Sequence, residues 1–193
     1  MSNLQEIANQ MVVRGKGILA ADESSGTIKK RFDSINVDSN EENRRNYRET
    51  LFRSTDAMEN YISGVILFDE TIRQKSKDGT PLAEVISKSG SLPGIKVDTG
   101  AKDLTLNNGE KITEGLDGLR ERLQEYYQLG AKFAKWRAVI TISKYLPSEL
   151  CIHSNAYTLA RYAALCQEND IVPIVEPEVL MDGDHDINRC YEV

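Results

Sequence analysis

The feature that most constrains the fold is an alternation of short apolar runs with longer amphipathic ones. Five runs are rich in Val, Ile, Ala or Phe and are bounded by Gly, Asp or Pro, as buried parallel strands are. They are residues 17–22, 63–68, 94–98, 133–140 and 171–176. Helical patterns lie between them, at residues 41–54, 81–90, 116–126 and 152–166. Pro147 and Ser148 precede the last pattern as a stop and an N-cap. Such alternation predicts a parallel sheet covered by helices.

Ionisable residues at the ends of these runs favour one kind of parallel sheet. They are Asp22, Lys96, Asp98, Lys135, Arg137, Glu176 and Glu178. In a barrel the carboxyl ends of the strands converge on one mouth, whereas a doubly wound sheet favours a Gly-rich first turn. The first turn here, ADESSGTIKKR, has the single glycine Gly26. We therefore predict an α/β fold, a TIM (β/α)8 barrel of which this chain supplies about the first five β/α units. Asp98 is the weakest member of the cluster, because it could simply cap a turn.

The run FAKWRAVI, residues 133–140, carries two cations in an otherwise apolar strand. Residues i and i+2 of a strand point to the same face, so Lys135 and Arg137 share one face of the sheet. Buried cations are costly unless an anion is held beside them. The pattern predicts a site for an anionic ligand.

Composition excludes several classes of partner. The chain has 193 residues and a net charge of −6, which argues against non-specific binding of nucleic acid or membrane surfaces. No apolar run approaches the ~20 residues of a membrane span, and the N-terminus has no signal-peptide pattern. The three cysteines form no CxxC motif, and Cys151 and Cys166 fall in a helical pattern as packing residues. These features predict a cytoplasmic protein. With two histidines in the chain, we expect no metal and no other cofactor.

The clustered charges are suited to lysine chemistry on a phosphorylated carbonyl compound. A crowded or desolvated lysine loses basicity, and a neutral amine attacks a carbonyl to form a Schiff base. Neighbouring carboxylates can transfer the protons that this reaction needs. Arginine and lysine can bind a phosphate, and the stretch SSGTIKKR, residues 24–31, resembles a phosphate-binding loop.

The same stretches resemble a known family. The motifs LAADES, FAKWR and VPIVEPE, with GVILFDET and GIKVDTG between them, are similar to the N-terminal half of class I fructose-1,6-bisphosphate aldolases. The resemblance implies a (β/α)8 barrel that reversibly cleaves fructose 1,6-bisphosphate to dihydroxyacetone phosphate and glyceraldehyde 3-phosphate, in glycolysis and gluconeogenesis. It also implies a cytosolic homotetramer that uses no metal. Relatives of this family also bind cytoskeletal proteins.

The resemblance also assigns roles to individual residues. Asp22 matches the aspartate that handles the substrate's C4 hydroxyl, and Lys135 matches a lysine that assists the Schiff-base lysine and keeps its amine neutral. Glu176 matches the general acid/base, and Glu178 matches its companion carboxylate. The residues that match substrate- and phosphate-binding positions are Lys96, Arg137, Ser24, Thr27 and Arg31, with Ser25, Lys30 and Arg44 assigned on weaker grounds. Thr27 stands where many relatives carry Ser, which keeps the hydroxyl.

One departure from the family pattern concerns length. The family's Schiff-base lysine lies on the sixth strand, and the sequence stops at RCYEV in the helix after the fifth. A whole barrel takes ~250 residues. We therefore expect residues 1–193 to be the N-terminal part of a single barrel domain, inactive when isolated.

Two alternatives remain open. One is a truncated, non-catalytic relative that acts as a binding or scaffold subunit. The other is a lysine-dependent barrel aldolase with a monophosphate substrate, although two separate cationic groups suit a bisphosphate better.

Overall fold

A computed structural model describes residues 3–193 as a curled parallel sheet with helices packed on its outer face. The strands are β1 (Gly17–Ala21), β2 (Ile62–Leu67), β3 (Leu92–Lys96), β4 (Gly100–Asp103), β5 (Lys111–Glu114), β6 (Phe133–Ile140) and β7 (Val172–Val179). The helices are α1 (Asn3–Met11), α2 (Ser25–Asp33), α3 (Glu41–Phe52), α4 (Thr55–Tyr61), α5 (Asp69–Arg73), α6 (Leu82–Lys88), α7 (Leu119–Gln128), α8 (Glu149–Glu168) and α9 (Ile187–Glu192). Within the described residues, no helix is long and apolar enough to cross a membrane.

The main sheet has the order β1-β2-β3-β6-β7, and all its neighbouring strands are parallel. The prediction of five parallel strands is therefore confirmed, and the differences in strand ends that bear on the site concern β3 and β7. β3 ends at Lys96, so Asp98 lies beyond the strand rather than in it. β7 continues past the predicted end at residue 176, because it pairs with β6 along its whole length, up to Ile140 opposite Val179.

The outer face of the sheet packs against the helices. Trp136 of β6 is fully buried there against Tyr162 of α8, with ring centroids 5.5 Å apart. The predicted N-cap of α8 is confirmed, because the Ser148 side chain accepts a hydrogen bond from the Cys151 N–H. Cys151 and Cys166 are buried in this core, as predicted for packing residues, and burial raises the pKa of the Cys166 thiol to about 12.

The inner face of the sheet is filled at its lower end by α1. Ile7 and Met11 of this helix pack against Ile66 of β2 and Phe133 of β6. The ring of Phe133 lies so close to Gly94 that a Cβ atom there would come within 2.3 Å of it. A glycine is therefore required in β3 for the ring to fit. Phe133, Lys135 and Arg137 are two positions apart in β6, so their side chains lie on the same face of the strand. The two cations therefore follow the ring of Phe133 towards the carboxyl end.

An antiparallel hairpin, β4–β5, was not predicted. Its two strands are four residues each, and Asp103 pairs with Lys111 near its tip. The hairpin is anchored beside β6, because Thr113 Oγ1 donates to the Arg137 carbonyl at 2.7 Å and Asn155 of α8 donates to the Lys111 carbonyl at 2.9 Å. The hairpin therefore borders the carboxyl end of the sheet.

Candidate active site

The carboxyl ends of the strands bring the predicted acids and bases together on the inner face of the sheet. Lys96 at the end of β3 is paired in register with Lys135 of β6, and Arg137 is paired with Glu176 of β7. Asp22 follows β1 directly. Residues distant in the sequence therefore meet at one mouth, as expected for the ends of barrel strands.

The amine of Lys135 lies between two carboxylates. Its Nζ is 3.5 Å from Asp22 Oδ2 and 3.5 Å from Glu176 Oε2. Charge-assisted N–H···O bonds are typically ~2.7–2.9 Å long, so both contacts are loose. The side chains of Lys135 and Asp22 are only 16% and 14% exposed. The amine is thus partly withdrawn from water and placed to exchange protons with either acid.

Two further cations face the same space. The Arg137 guanidinium contacts Glu178 directly, and both side chains are partly exposed. Lys96 Nζ lies 3.9 Å from Asp98 Oδ1, at the foot of the hairpin. Lys96 and Arg137 each lie beside one carboxylate and both line the cavity, so their other N–H donors can bind an anionic ligand.

A cavity of about 260 Å³ lies among these groups, although Glu176 and Glu178 contact Lys135 and Arg137 without lining it. It is lined by Asp22, Glu23, Ser24, Thr27, Lys96, Asp98, Gly100, Ala101, Lys135, Arg137 and Val139. Two of the predicted hydroxyls lie at its edge, where Ser24 caps α2 and its Oγ lies 3.1 Å from Thr27 Oγ1. The N-terminus of a helix favours negative charge, so this end of the cavity suits a phosphate.

A network of ion pairs, the wall network, lies behind the cavity and consists of Glu23, Arg31, Arg44, Arg48 and Glu70. Glu23 contacts Arg31 and faces the buried Arg48, which also faces Glu70 of α5. Glu70 in turn accepts two hydrogen bonds from Arg44, one of them 2.8 Å long. Arg48 is 0% exposed and donates to the Glu23 carbonyl at 2.7 Å. The network fixes the loop after β1 to α3, and this loop carries Asp22 and Ser24.

The remaining predicted binding residues lie outside the cavity. Ser25 and Lys30 are on the exposed side of α2, and Arg31 and Arg44 are engaged by carboxylates of the wall network. For these residues a role in substrate binding stays a prediction.

Sequence reasoning missed several residues of the cavity. Glu23, Val139 and the hairpin residues Gly100 and Ala101 were not among the candidates, and Asp98 was counted in the strand-end cluster only as its weakest member, one that could simply cap a turn. Asp98 does cap the turn, since its Oδ1 accepts from the Gly100 N–H at 3.0 Å, but it also lines the cavity. Burial raises its pKa, and this outweighs the nearby Lys96. Its position two residues after Lys96 was the available signal.

The arrangement can transfer protons and bind phosphate. A lysine between two carboxylates can move a proton in either direction, and the cations around it can hold an anionic group in place. Within residues 3–193 no group of His, Cys, Asp and Glu side chains is arranged to hold a metal ion.

Comparisons with known proteins agree with this geometry. The sequence model of the family "Glycolytic: Fructose-bisphosphate aldolase class-I" matches residues 3–193. The chain is 61% identical over 193 residues to a "Probable fructose-bisphosphate aldolase class 1" of Xanthomonas campestris, covering 100% of this chain and 58% of that relative. It is 60% identical over 179 residues to the cytosolic fructose-bisphosphate aldolase 6 of Arabidopsis thaliana, covering 93% of this chain and 50% of that protein.

A solved structure confirms the fold class. The fructose-bisphosphate aldolase of Plasmodium falciparum, in complex with TRAP and a small-molecule inhibitor, superposes with a TM-score of 0.91 at 50% identity, covering 97% of this chain and 55% of that one. The curled five-stranded sheet is therefore part of a TIM barrel, and the chain spans about half the length of the relatives that it matches. This chain belongs to the class I fructose-bisphosphate aldolase family.

Proposed function

We propose that the whole protein reversibly cleaves fructose 1,6-bisphosphate to dihydroxyacetone phosphate and glyceraldehyde 3-phosphate through a lysine Schiff base. The observation that carries this proposal is the Lys135 amine, held 3.5 Å from both Asp22 and Glu176 at the mouth of the sheet. The nucleophilic lysine itself belongs to the sequence beyond residue 193, on the family's sixth strand.

In this proposal each side chain of the mouth has one task. Lys135 carries protons and repels a second ammonium, which keeps the nucleophilic amine neutral. Asp22 accepts the proton of the substrate's C4 hydroxyl as the carbon–carbon bond breaks. Glu176 is the general acid/base of carbinolamine formation and dehydration, and Glu178 is its companion carboxylate.

The two phosphates of the substrate need two separate cationic regions. We assign the phosphate distal to the Schiff base to Lys96 and Arg137, and the start of α2, where Ser24 and Thr27 offer hydroxyls and Arg31 lies nearby, to the loop that closes near that phosphate. The rest of the family's phosphate site follows later in the sequence. Ser25, Lys30 and Arg44 stay secondary candidates, since they lie outside the cavity.

We further propose that residues 1–193 form the N-terminal part of a single barrel domain. Support comes from β7, whose apolar side chains have the composition of a covered strand although Val175 is 49% exposed. An apolar recess lies between this strand and α8, lined by Leu159, Ala163 and Pro177 among others. An open strand edge of this kind calls for cover.

Compartment and assembly follow from the family. We propose that the whole protein is cytoplasmic, supported by the relatives of Arabidopsis thaliana that are described as cytosolic, and that it is a homotetramer, as the family resemblance implies. Native mass spectrometry of the whole protein measures the assembly directly, and a monomeric mass would contradict this proposal.

A protein-binding role is the second candidate, since the solved Plasmodium relative is held in complex with TRAP. Co-sedimentation with cytoskeletal filaments tests whether binding extends to cytoskeletal proteins, and competition by fructose 1,6-bisphosphate would place the contact at the mouth of the sheet.

Chemical trapping tests the enzymatic proposal. The 193-residue chain and the whole protein are each incubated with dihydroxyacetone phosphate and borohydride, which reduces an imine to a stable amine. Mass spectrometry then locates the adduct. We expect a stoichiometric adduct beyond residue 193 in the whole protein and none on Lys135 in either form.

Two outcomes would contradict this assignment. A stoichiometric adduct on Lys135 would make that residue the nucleophile and this chain sufficient for the first chemical step. A whole protein that forms no adduct and cleaves no fructose 1,6-bisphosphate would leave the protein-binding role as the function.

A further inference from the structure

Asp98 is the most deeply buried acid of the candidate active site, and the proposed reaction leaves it without a task. Its side chain is 5% exposed, and it lines the cavity beside Lys96. Its two oxygens differ. Oδ1 accepts from the Gly100 N–H and lies 3.9 Å from Lys96 Nζ, whereas Oδ2 is buried and has no hydrogen-bond partner within residues 3–193.

Groups from several elements surround this carboxyl. They are Lys96 of β3, Lys135 and the Arg137 backbone N–H of β6, and the buried hydroxyl of Tyr162 of α8. Arg122 of α7 lies nearby, since it donates to the Val97 carbonyl, and Asp22 lies across the cavity. Burial raises the pKa of Asp98 and outweighs Lys96, Lys135 and the backbone N–H groups of Gly100 and Arg137, all of which favour the carboxylate. The carboxyl therefore holds a proton more readily than an exposed aspartate does.

A phosphate in the cavity would shift this balance further. Its negative charge would lie near that of Asp98, and like charges favour the protonated carboxyl. It would also engage Lys96, the cation that partly offsets the charge of Asp98. Both changes act in the same direction, because each makes a charged Asp98 less favourable once the anion is bound.

We propose that Asp98 takes up a proton when a phosphate group binds in this cavity, so that one phosphate and one proton enter together. The proton comes from solvent and forms an O–H bond at the unpartnered Oδ2, and no bond of the ligand breaks. The proposal rests on the phosphate-binding function proposed above and adds a condition to it, that the cavity binds anions more tightly as the pH falls.

The sign and the size of the effect follow from linkage. Below the pKa of Asp98 in the empty site the carboxyl is already protonated, and above its pKa in the occupied site it stays charged. Between these two values one linked proton changes the affinity about tenfold per pH unit, with tighter binding at lower pH.

Calorimetric titration with sulfate tests the coupling. Sulfate resembles phosphate but keeps its charge over the range in which carboxyls titrate, so the ligand contributes no proton of its own. Affinity is measured from mildly acidic to neutral pH for the purified protein, for Asp98→Asn and for Asp103→Asn. The amide that replaces the carboxyl in Asp98→Asn can still accept from the Gly100 N–H, whereas Asp103 is an exposed residue of β4 that pairs with Lys111 outside the cavity.

We expect the slope of log affinity against pH, about −1 in the wild type, to approach zero in Asp98→Asn, and we expect this variant to bind sulfate about tenfold more tightly at neutral pH. Asp103→Asn should match the wild type in both respects. A slope that is unchanged in Asp98→Asn overturns the inference.

A measurement on the wild type alone does not depend on whether a variant folds. Titrations of the wild type in two buffers that differ in ionisation enthalpy report the number of protons taken up, and the absence of uptake overturns the inference while leaving the phosphate site intact. A wild type that binds no sulfate at any pH overturns the proposed phosphate site as well, so the two failures are distinguishable.

Discussion

The ion pairs inside the cavity differ from those that hold its wall. Inside, Lys135 lies 3.5 Å from each of two acids and Lys96 lies 3.9 Å from Asp98. In the wall, Arg44 donates twice to Glu70, and Arg48 donates to the Glu23 carbonyl at 2.7 Å. The lysines beside the cavity thus have only long contacts to carboxylates, whereas Arg44 makes two hydrogen bonds to Glu70 and Arg48 is held by the Glu23 carbonyl, although its carboxylate partners lie 3.6 and 3.9 Å away.

The difference separates structural charges from available ones. The guanidinium fork matches a carboxylate at two points, as in the two hydrogen bonds from Arg44 to Glu70, whereas the Nε and Nη1 of Arg48 have no hydrogen-bond partner within residues 3–193. A lysine is a compact charge that can be shared between acids without a closed bond, and it keeps donors for a ligand. Lining of the cavity, more than contact distance, therefore separates residues of the proposed reaction from residues of the scaffold, and substitutions can test that distinction.

The largest effect is expected for Lys135→Met in the whole protein. It removes a proton carrier and the like charge that keeps the nucleophilic amine neutral, so turnover should fall by about 100-fold or more. Steady-state cleavage of fructose 1,6-bisphosphate measures it. The matched control is Lys132→Met, since Lys132 lies just before the other end of β6 against the ring of Tyr127. Equal turnover in both variants would make Lys135 a structural charge.

The next effect belongs to the wall. Arg48→Met removes a fully buried guanidinium and its hydrogen bond to the Glu23 carbonyl, while Glu23 keeps Arg31 and Glu70 keeps Arg44, so the expected cost is about 2 kcal/mol. The free energy of unfolding, measured in urea, should fall by that amount. A loss below about 1 kcal/mol would show that the Glu23 carbonyl finds water or another partner instead.

Arg137 lies between the two classes, because it contacts Glu178 directly yet lines the cavity. If it binds phosphate, Arg137→Ala should weaken substrate binding by about 2 kcal/mol, which is a rise in KM of tens of fold at similar kcat. Kinetics with fructose 1,6-bisphosphate separate the two constants. An unchanged KM would place Arg137 with the structural pairs.

The smallest effect is expected for Arg44→Ala. This side chain is partly buried in its pair with Glu70, so the free energy of unfolding should fall by roughly 1 kcal/mol. Because the pair lies outside the cavity, KM should change less than twofold. A larger rise in KM would restore Arg44 to the substrate site that its sequence position predicted.

The sequence predicted the parts of this molecule that depend on local pattern. Five strands and four helices could be located because apolar spacing reflects burial directly. The grouping of Asp22, Lys96, Lys135 and Glu176 could be predicted as well, since strand ends converge in a barrel whatever the loops do.

Features that depend on contacts between distant loops were missed. The β4–β5 hairpin has short, polar strands whose pairing is stabilised by α8 and β6 rather than by its own composition. The wall network joins α2, α3 and α5. Nothing local in residues 42–48, ENRRNYR, distinguishes the buried Arg48 from Arg44, which pairs with Glu70. Asp98 was placed in the cluster but given the least weight, because a turn cap also explained the residue.

The contact between Lys135 and Asp22 joins residues that are 113 positions apart in the chain. A contact of such high sequence separation closes a long loop, and its entropy must be overcome before the contact contributes. During synthesis Asp22, which follows β1, is made well before Lys135 of β6, so the two side chains can meet only after β6 has been added to the sheet. The charged mouth is therefore a late product of folding, and until it assembles both groups stay hydrated on separate pieces of the growing sheet.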